Sequence, residues 1–156
     1  MHAVPLETHR GQPRSHRRGS EAWNLAAVHT FDDMSTLIET VADEMAREGY
    51  PDKDQFSMRL SLEEAIVNAV KHGHDGDPNL AVQVRYRVSF GRVLVEVEDE
   101  GPGFDPYQVD DPLDPENLTR PCGRGLFLMR HYMTWIHFNE RGNAVLLCKC
   151  RTAVEG

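Results

Sequence analysis

Glu64 and Asn68 stand four residues apart in the stretch Glu63-Glu64-Ala65-Ile66-Val67-Asn68-Ala69-Val70-Lys71-His72-Gly73. On a helix that spacing is about one turn, so a carboxylate and an amide can point at one spot. A magnesium–phosphate site uses these two groups: a hard oxygen for the metal and a base for a proton. Asn is also a poor helix-interior residue, which weakens the reading of this face as ordinary solvated surface. A second acid, Asp99, ends the run Val93-Leu94-Val95-Glu96-Val97-Glu98 and is followed by Gly101-Pro102-Gly103. Strand alternation puts Asp99 in the valine series, on the face offered to a core. A carboxylate carried to the edge of a core must find a donor or shift its pKa. The glycines allow a tight turn and close approach of another group. By itself the pattern also suits a plain strand end whose Asp accepts hydrogen bonds from loop amides. The third segment, Arg120-Pro121-Cys122-Gly123-Arg124-Gly125-Leu126, sets glycines just ahead of a helix, whose first N–H groups suit phosphate. It is not a Walker A loop, because no Gly-Lys-[Ser/Thr] follows.

The elements that must position these groups are read from periodicity. Ala22 to Thr30 reads as a short first strand. Asp32 or Asp33 caps a helix to about Glu48, with Met34, Leu37, Ile38, Val41 and Met45 at helical spacing. A second helix runs from Phe56 to Lys71, with Gly73 at a plausible C′ position. On it Ser57, Ser61, Glu64, Asn68, Lys71 and His72 share a polar arc, opposite Leu62, Ile66, Ala69 and Val70. Leu80 to Phe90 alternates cleanly and turns through Gly91-Arg92 into the Val93 strand, a hairpin with one buried face. Asp105 to Pro121 is a long Pro- and acid-rich loop, of a length that in a small domain is usually functional or mobile. Leu126 to Met133 forms a third helix, and Trp135 to Phe138 with Ala144 to Cys150 a closing hairpin around Glu140-Arg141-Gly142. The order predicts an α+β fold: a two-layer sandwich with helices on one face of a mixed, mostly antiparallel sheet.

Composition narrows the function classes. The chain has 156 residues, 40% apolar and 27% charged, with a net charge of −8. A single domain of ordinary core size is expected, and a broad nucleic-acid surface is not. Residues 1–20 read as a disordered basic tail, with His9 to Arg18 its basic part, ahead of a domain at 21–152. No run reaches the ~20 apolar residues of a membrane helix. Cys122, Cys148 and Cys150 form neither a disulfide framework nor a zinc spacing, and no apolar export segment precedes them, so a reducing cytoplasm is expected. His72-Gly73-His74-Asp75 resembles a metal cluster, but histidines at a helix end are the simpler account.

The three segments occur in a fixed order: E-x-x-x-N on a helix, D-x-G-x-G after a strand, and G-x-G-L into a helix. On these motifs, over about residues 22–150, the sequence resembles the GHKL, or histidine-kinase-like, ATPase superfamily. Within it the resemblance is strongest to the anti-sigma-factor serine/threonine kinases. The resemblance implies ATP and Mg²⁺ as cofactors. It implies that Asp99 accepts from the adenine amino group, that Gly101, Gly103 and Phe104 lie around the base, and that Asn68 binds Mg²⁺ with His72 near the nucleotide. It further implies that Gly123, Arg124, Gly125 and Leu126 wrap the phosphates, that residues 105–122 form an ATP lid, and that Glu64 is the base for the attacking hydroxyl. Glu63, about 100° away, reads as a surface acid. The family's threonine near adenine is missing; Gly142 is followed by Asn143, a polar substitute. The implied function is phosphorylation of a STAS-type anti-anti-sigma partner by a protein that also binds a sigma factor, without direct nucleic-acid or membrane contact and with a homodimer left open. The alternatives are a non-catalytic nucleotide- or sigma-binding module of the same fold and the ATPase half of a split histidine kinase; the latter is disfavoured by the lack of a phosphoacceptor helix hairpin.

Overall fold

Residues 22–74, 80–101 and 124–153 are described by the structure, a computed structural model. In chain order they form β1 (Asn24–Val28), α1 (Phe31–Arg47), α2 (Asp52–Asn68), a π-helical turn (Ala69–His74), β2 (Val82–Val88), β3 (Arg92–Glu98), α3 (Arg124–Tyr132), β4 (Trp135–Phe138) and β5 (Ala144–Cys150). The strands make one five-stranded sheet in the order β1-β2-β3-β5-β4, and the helices cover one of its faces. Every pairing among the described residues is antiparallel, so the expected mixed component is absent there. The connections explain this: β2–β3 and β4–β5 are hairpins, and two helices carry the chain out and back between β1 and β2.

Alternation sets the core. Val82, Val84, Tyr86 and Val88 of β2 are buried, and the register places Val84, Tyr86 and Val88 opposite Val97, Val95 and Val93 of β3. On the other face Arg85 Nε donates to Glu96 Oε1 at 2.7 Å, and the Arg85 and Arg87 guanidinium groups each lie 4.8 Å from the Trp23 ring centroid. α1 adds Met34, Leu37, Val41 and Met45 to the core, as its spacing predicts.

The N-cap of α1 is Thr30, not an aspartate. Thr30 Oγ1 accepts from the Asp33 N–H at 3.0 Å, while Asp33 Oδ2 accepts from the Thr30 N–H at 3.1 Å. This reciprocal box satisfies donors that a lone aspartate would leave open.

α2 differs most from its sequence reading. It begins at Asp52, after the extended Pro51, rather than at Phe56. Ser57 and Ser61 are buried together with Met58, Leu62, Ala65 and Ile66, so the upstream part of its polar arc is not solvated. The cause is position: α2 lies over β3 and β5 with α1 on one flank and α3 on the other, and it is covered from three directions. At Ala69 the helix widens into the π turn, which replaces the expected glycine cap and shifts the phase of its faces. Val70, expected on the apolar side, is consequently exposed. The first turn of α2 carries a fully buried acid, Asp54. Its Oδ2 accepts from the Thr152 N–H and its Oδ1 from the Thr152 hydroxyl, both at 2.7 Å, and Lys149 Nζ stands 3.8 Å from Oδ1. The start of α2 is thereby tied to the exit of β5.

Candidate nucleotide site

Glu64 and Asn68 lie on the α2 flank that faces α3, and α3 begins at the glycine-rich segment. Gly125 explains how close the two helices come. A Cβ built on it would sit 2.6 Å from Glu64 Oε2, 3.0 Å from Asn68 Nδ2 and 3.5 Å from Asn68 Oδ1. Any side chain at position 125 would occupy the space where the carboxylate and the amide meet. The second glycine of the G-x-G-L segment is therefore matched to the E-x-x-x-N pair by contact. Leu126 beside it is buried and points into the core, which anchors the start of α3.

Glu64 is only partly buried, yet its carboxyl is held above its ordinary pKa. Burial is the main cause, repulsion from Glu63 adds to it, and Lys71 opposes it. A carboxylate with raised proton affinity suits the role of a base. Glu63 lies on the other side of α2, in a groove lined with Met34, Ile38, Phe56 and Arg59.

Asp99 follows β3 and is 8% exposed, as its place in the valine series predicts. Its Oδ1 accepts from the Gly101 N–H at 2.7 Å. It lines a pocket with Ala65, Asn68, Met129, Phe138 and Asn143. The pocket thus has apolar walls and a carboxylate, and it reaches the Asn68 end of the Glu64–Asn68–Gly125 junction. Apolar walls beside a carboxylate acceptor are complementary in chemistry to a flat ring that carries a hydrogen-bond donor.

Of the residues singled out from sequence, Glu64, Asn68, Asp99, Gly101 and Gly125 gather around this pocket and junction. Gly103, Phe104, Gly123 and the expected lid at 105–122 lie outside the described residues, as does the tail at 1–20, and the side chains of His72 and Arg124 are likewise not described. Asn143, expected as a polar substitute for a threonine, lines the pocket. Its Nδ2 donates to the Asp99 carbonyl at 2.9 Å, and its Oδ1 accepts from Asn139 Nδ2 at 2.7 Å. Met129 and Phe138 went unmarked in the sequence, since an apolar residue at helix or strand spacing reads as core. Asn139 and Arg141 went unmarked because their turn reads as a plain hairpin. The pair Asn139 and Asn143 flanking Gly142, which has φ of 72°, is the signal that could have drawn attention to it.

Comparisons with known proteins point to one family. The model of the family described as "Histidine kinase-like ATPase domain" matches residues 28–149. The serine-protein kinase RsbW of Bacillus subtilis is 31% identical over 117 residues, covering 70% of this chain and 73% of that protein. The serine/threonine-protein kinase BtrW of Bordetella bronchiseptica is 29% identical over 114 residues, covering 72% and 78%. The serine-protein kinase RsbW of Listeria innocua is 27% identical over 114 residues, covering 67% and 71%. No described helix is long and apolar enough to cross a membrane.

Proposed function

We propose, from the premise that this chain belongs to the histidine kinase-like ATPase domain family, that it is an ATP·Mg²⁺-dependent serine/threonine protein kinase. Its substrate is a serine on a STAS-type anti-anti-sigma partner, and it regulates a sigma factor that it binds; its kinase domain spans residues 21–152. The observation that carries this reading is the approach of Gly125 to both Glu64 and Asn68 beside a pocket bordered by Asp99. It unites in space three motifs that are separate in sequence.

Asp99 accepts a hydrogen bond from the adenine amino group, and the apolar walls exclude water from the base. Asn68 presents an amide oxygen one helical turn from the Glu64 carboxylate, and the space kept open at Gly125 lies between them and the start of α3. The Asn68 amide oxygen is a hard donor that suits Mg²⁺, which when bound would screen the charge of the phosphates. α3 begins beside this pair, and the first N–H groups of a helix favour negative charge. Transfer is dominated by positioning: the serine oxygen attacks the γ-phosphorus, the bond to the ADP oxygen breaks, and Glu64 takes the serine proton. The raised proton affinity of Glu64 favours that last step.

The test is a single-turnover rate of transfer from γ-labelled ATP to STAS-type partners of the same genome, measured beside a nucleotide dissociation constant. Glu64→Gln should hold ATP within a few fold of wild type while transfer falls ~10²- to 10⁴-fold. Asn68→Ala should lose Mg²⁺-dependent ATP binding as well as transfer. Tight ATP binding by wild type without transfer to any such partner would replace the kinase reading by that of a nucleotide- or sigma-binding module. Wild-type transfer by Glu64→Gln would move the base elsewhere, with Glu63 the next candidate.

A further inference from the structure

The main chain on either side of Asp99 is gripped by a turn that belongs to another hairpin. The Asp99 N–H donates to the Asn143 carbonyl at 2.9 Å, and Asn143 Nδ2 donates back to the Asp99 carbonyl at the same distance. Two residues on, the Gly101 carbonyl accepts from Arg141 Nη2 at 3.2 Å, while the Gly101 N–H holds Asp99 Oδ1. The β4–β5 turn therefore closes around the short segment that aims the Asp99 carboxylate.

The orientation of the Asn143 amide is itself determined. Its partner at Asp99 is a carbonyl, so the nitrogen must point there and Oδ1 must point away. Oδ1 then needs a donor, and Asn139 Nδ2 supplies it at 2.7 Å. Asn139 is oriented in turn, because its Oδ1 accepts from the main-chain N–H groups of Asn143 at 3.0 Å and Ala144 at 3.2 Å. Main-chain donors thus fix Asn139, Asn139 fixes Asn143, and Asn143 fixes the peptide that carries Asp99. Asn143 is 7% exposed, so water cannot readily replace any of these partners.

We infer that Asn143, oriented by Asn139, is a positioning residue that sets the base selectivity of the pocket by fixing the main chain of Asp99. The inference rests on the nucleotide reading of the site. It gives Asn143 a role apart from any direct contact with the base, because one N–H and the oxygen of its amide already serve the protein. Without Asn143 Nδ2 the Asp99 carbonyl loses a buried donor, and the segment to Gly101 relaxes to find another. The carboxylate then no longer meets the exocyclic amino group of the base at a fixed angle.

The test compares binding of ATP with binding of purine riboside triphosphate, which lacks only that amino group, in the full-length chain. Wild type should favour ATP roughly 10- to 150-fold, the range for one hydrogen bond to a charged acceptor. In Asn143→Ala that preference should shrink at least about fivefold, with affinity for purine riboside triphosphate changed less than about threefold. A purely structural role would weaken both nucleotides alike. Asn139→Asp guards against a fold defect: it keeps the acceptor for the two main-chain N–H groups but removes the donor to Asn143 Oδ1. The Asn143 amide is then drawn to flip and set its oxygen against the Asp99 carbonyl, so the preference should fall here too, by less. Undiminished preference in both folded variants overturns the positioning role and leaves the adenine reading standing. A wild type that binds the two nucleotides equally overturns the adenine reading, and the inference with it, before any variant is made.

Discussion

Two buried aspartates mark opposite kinds of place in this molecule. Asp54, fully buried at the start of α2, has both carboxylate oxygens engaged by Thr152 and has Lys149 close by. Asp99, nearly as buried at the end of β3, accepts from Gly101 in its own turn and borders a pocket. Burial of an acid therefore does not distinguish a site from a strut. What distinguishes them is the second boundary: Asp54 joins a helix start to a strand exit through Thr152, whereas Asp99 also borders a pocket, which under the proposed function receives the base. The comparison predicts that the two residues fail in separate measurements.

The largest effect is expected at Asp54. Asp54→Ala removes the acceptor for two short hydrogen bonds and leaves Lys149 without its nearby carboxylate. Breaking a buried charged cluster by deleting one member costs about 3–5 kcal/mol. Denaturant unfolding should show that loss, while ATP affinity of the folded fraction stays within about threefold, since Asp54 is outside the pocket. A change in affinity as large as the change in stability would dissolve the distinction between the two acids. At Asp99 the pattern should invert. Asp99→Asn replaces an acceptor by a group that can present N–H to the adenine amino group, and loss of one charge-assisted bond costs ~1.5–3 kcal/mol. Calorimetry should find ATP affinity down roughly 10- to 150-fold, with unfolding free energy changed by about 1 kcal/mol or less. Unchanged affinity in a folded variant would remove Asp99 from the adenine site.

The difference between the two acids also marks what could be read from sequence. Asp99 was legible because parity along one strand fixes the face of a residue, and because glycines follow it. Asp54 was not. Its partner Thr152 is 98 residues away, and no local pattern encodes a contact between a helix start and a strand exit. The same divide runs through the fold. Both hairpins, β2–β3 and β4–β5, follow from alternation and turn residues, which are local. The burial of Ser57 and Ser61 follows from α3 and the sheet closing on α2, which is tertiary, and helix periodicity read that face as polar. The pair Glu64 and Asn68 was legible from spacing, whereas its match to Gly125 needed the packing of two helices. The Asn139–Asn143 clamp lies between these cases, since its residues are close in sequence but its object, Asp99, is not.

Gly125 offers a sharper version of the contrast, because a substitution there should impair chemistry with little effect on the fold. The atoms that a Cβ would meet are the tips of Glu64 and Asn68, which can swing aside, rather than backbone. Gly125→Ala should accordingly cost stability by about 1 kcal/mol or less while displacing the candidate base. Misplacing a catalytic group by about 1 Å can cost up to ~10²-fold. Single-turnover transfer should therefore drop roughly 10- to 100-fold at saturating ATP, with the preference for ATP over purine riboside triphosphate retained. A variant that transfers at the wild-type rate would show that the close approach is a packing detail rather than part of the machinery.

The smallest effect is one of pH, and it belongs to Glu64. Burial, aided by Glu63 and opposed by Lys71, holds the Glu64 carboxyl above its ordinary value of 4.5. The folded state therefore binds this proton more tightly than the unfolded chain does. By linkage, the stabilising contribution of the protonated group is complete below the unfolded value and is lost as pH rises through the raised folded value. Glu64→Gln carries no titrating group, so it should gain stability relative to wild type across that window and hold a constant difference above it. The same shift should appear in catalysis with the opposite consequence, because a base works only when deprotonated. The acidic limb of the transfer rate should fall at a pH above the ordinary carboxylate value and vanish in Glu64→Gln. Glu63→Gln removes the repulsion that helps to raise Glu64 and should move that limb to lower pH. A limb unmoved by Glu63→Gln would mean that the titrating group in the rate is not Glu64.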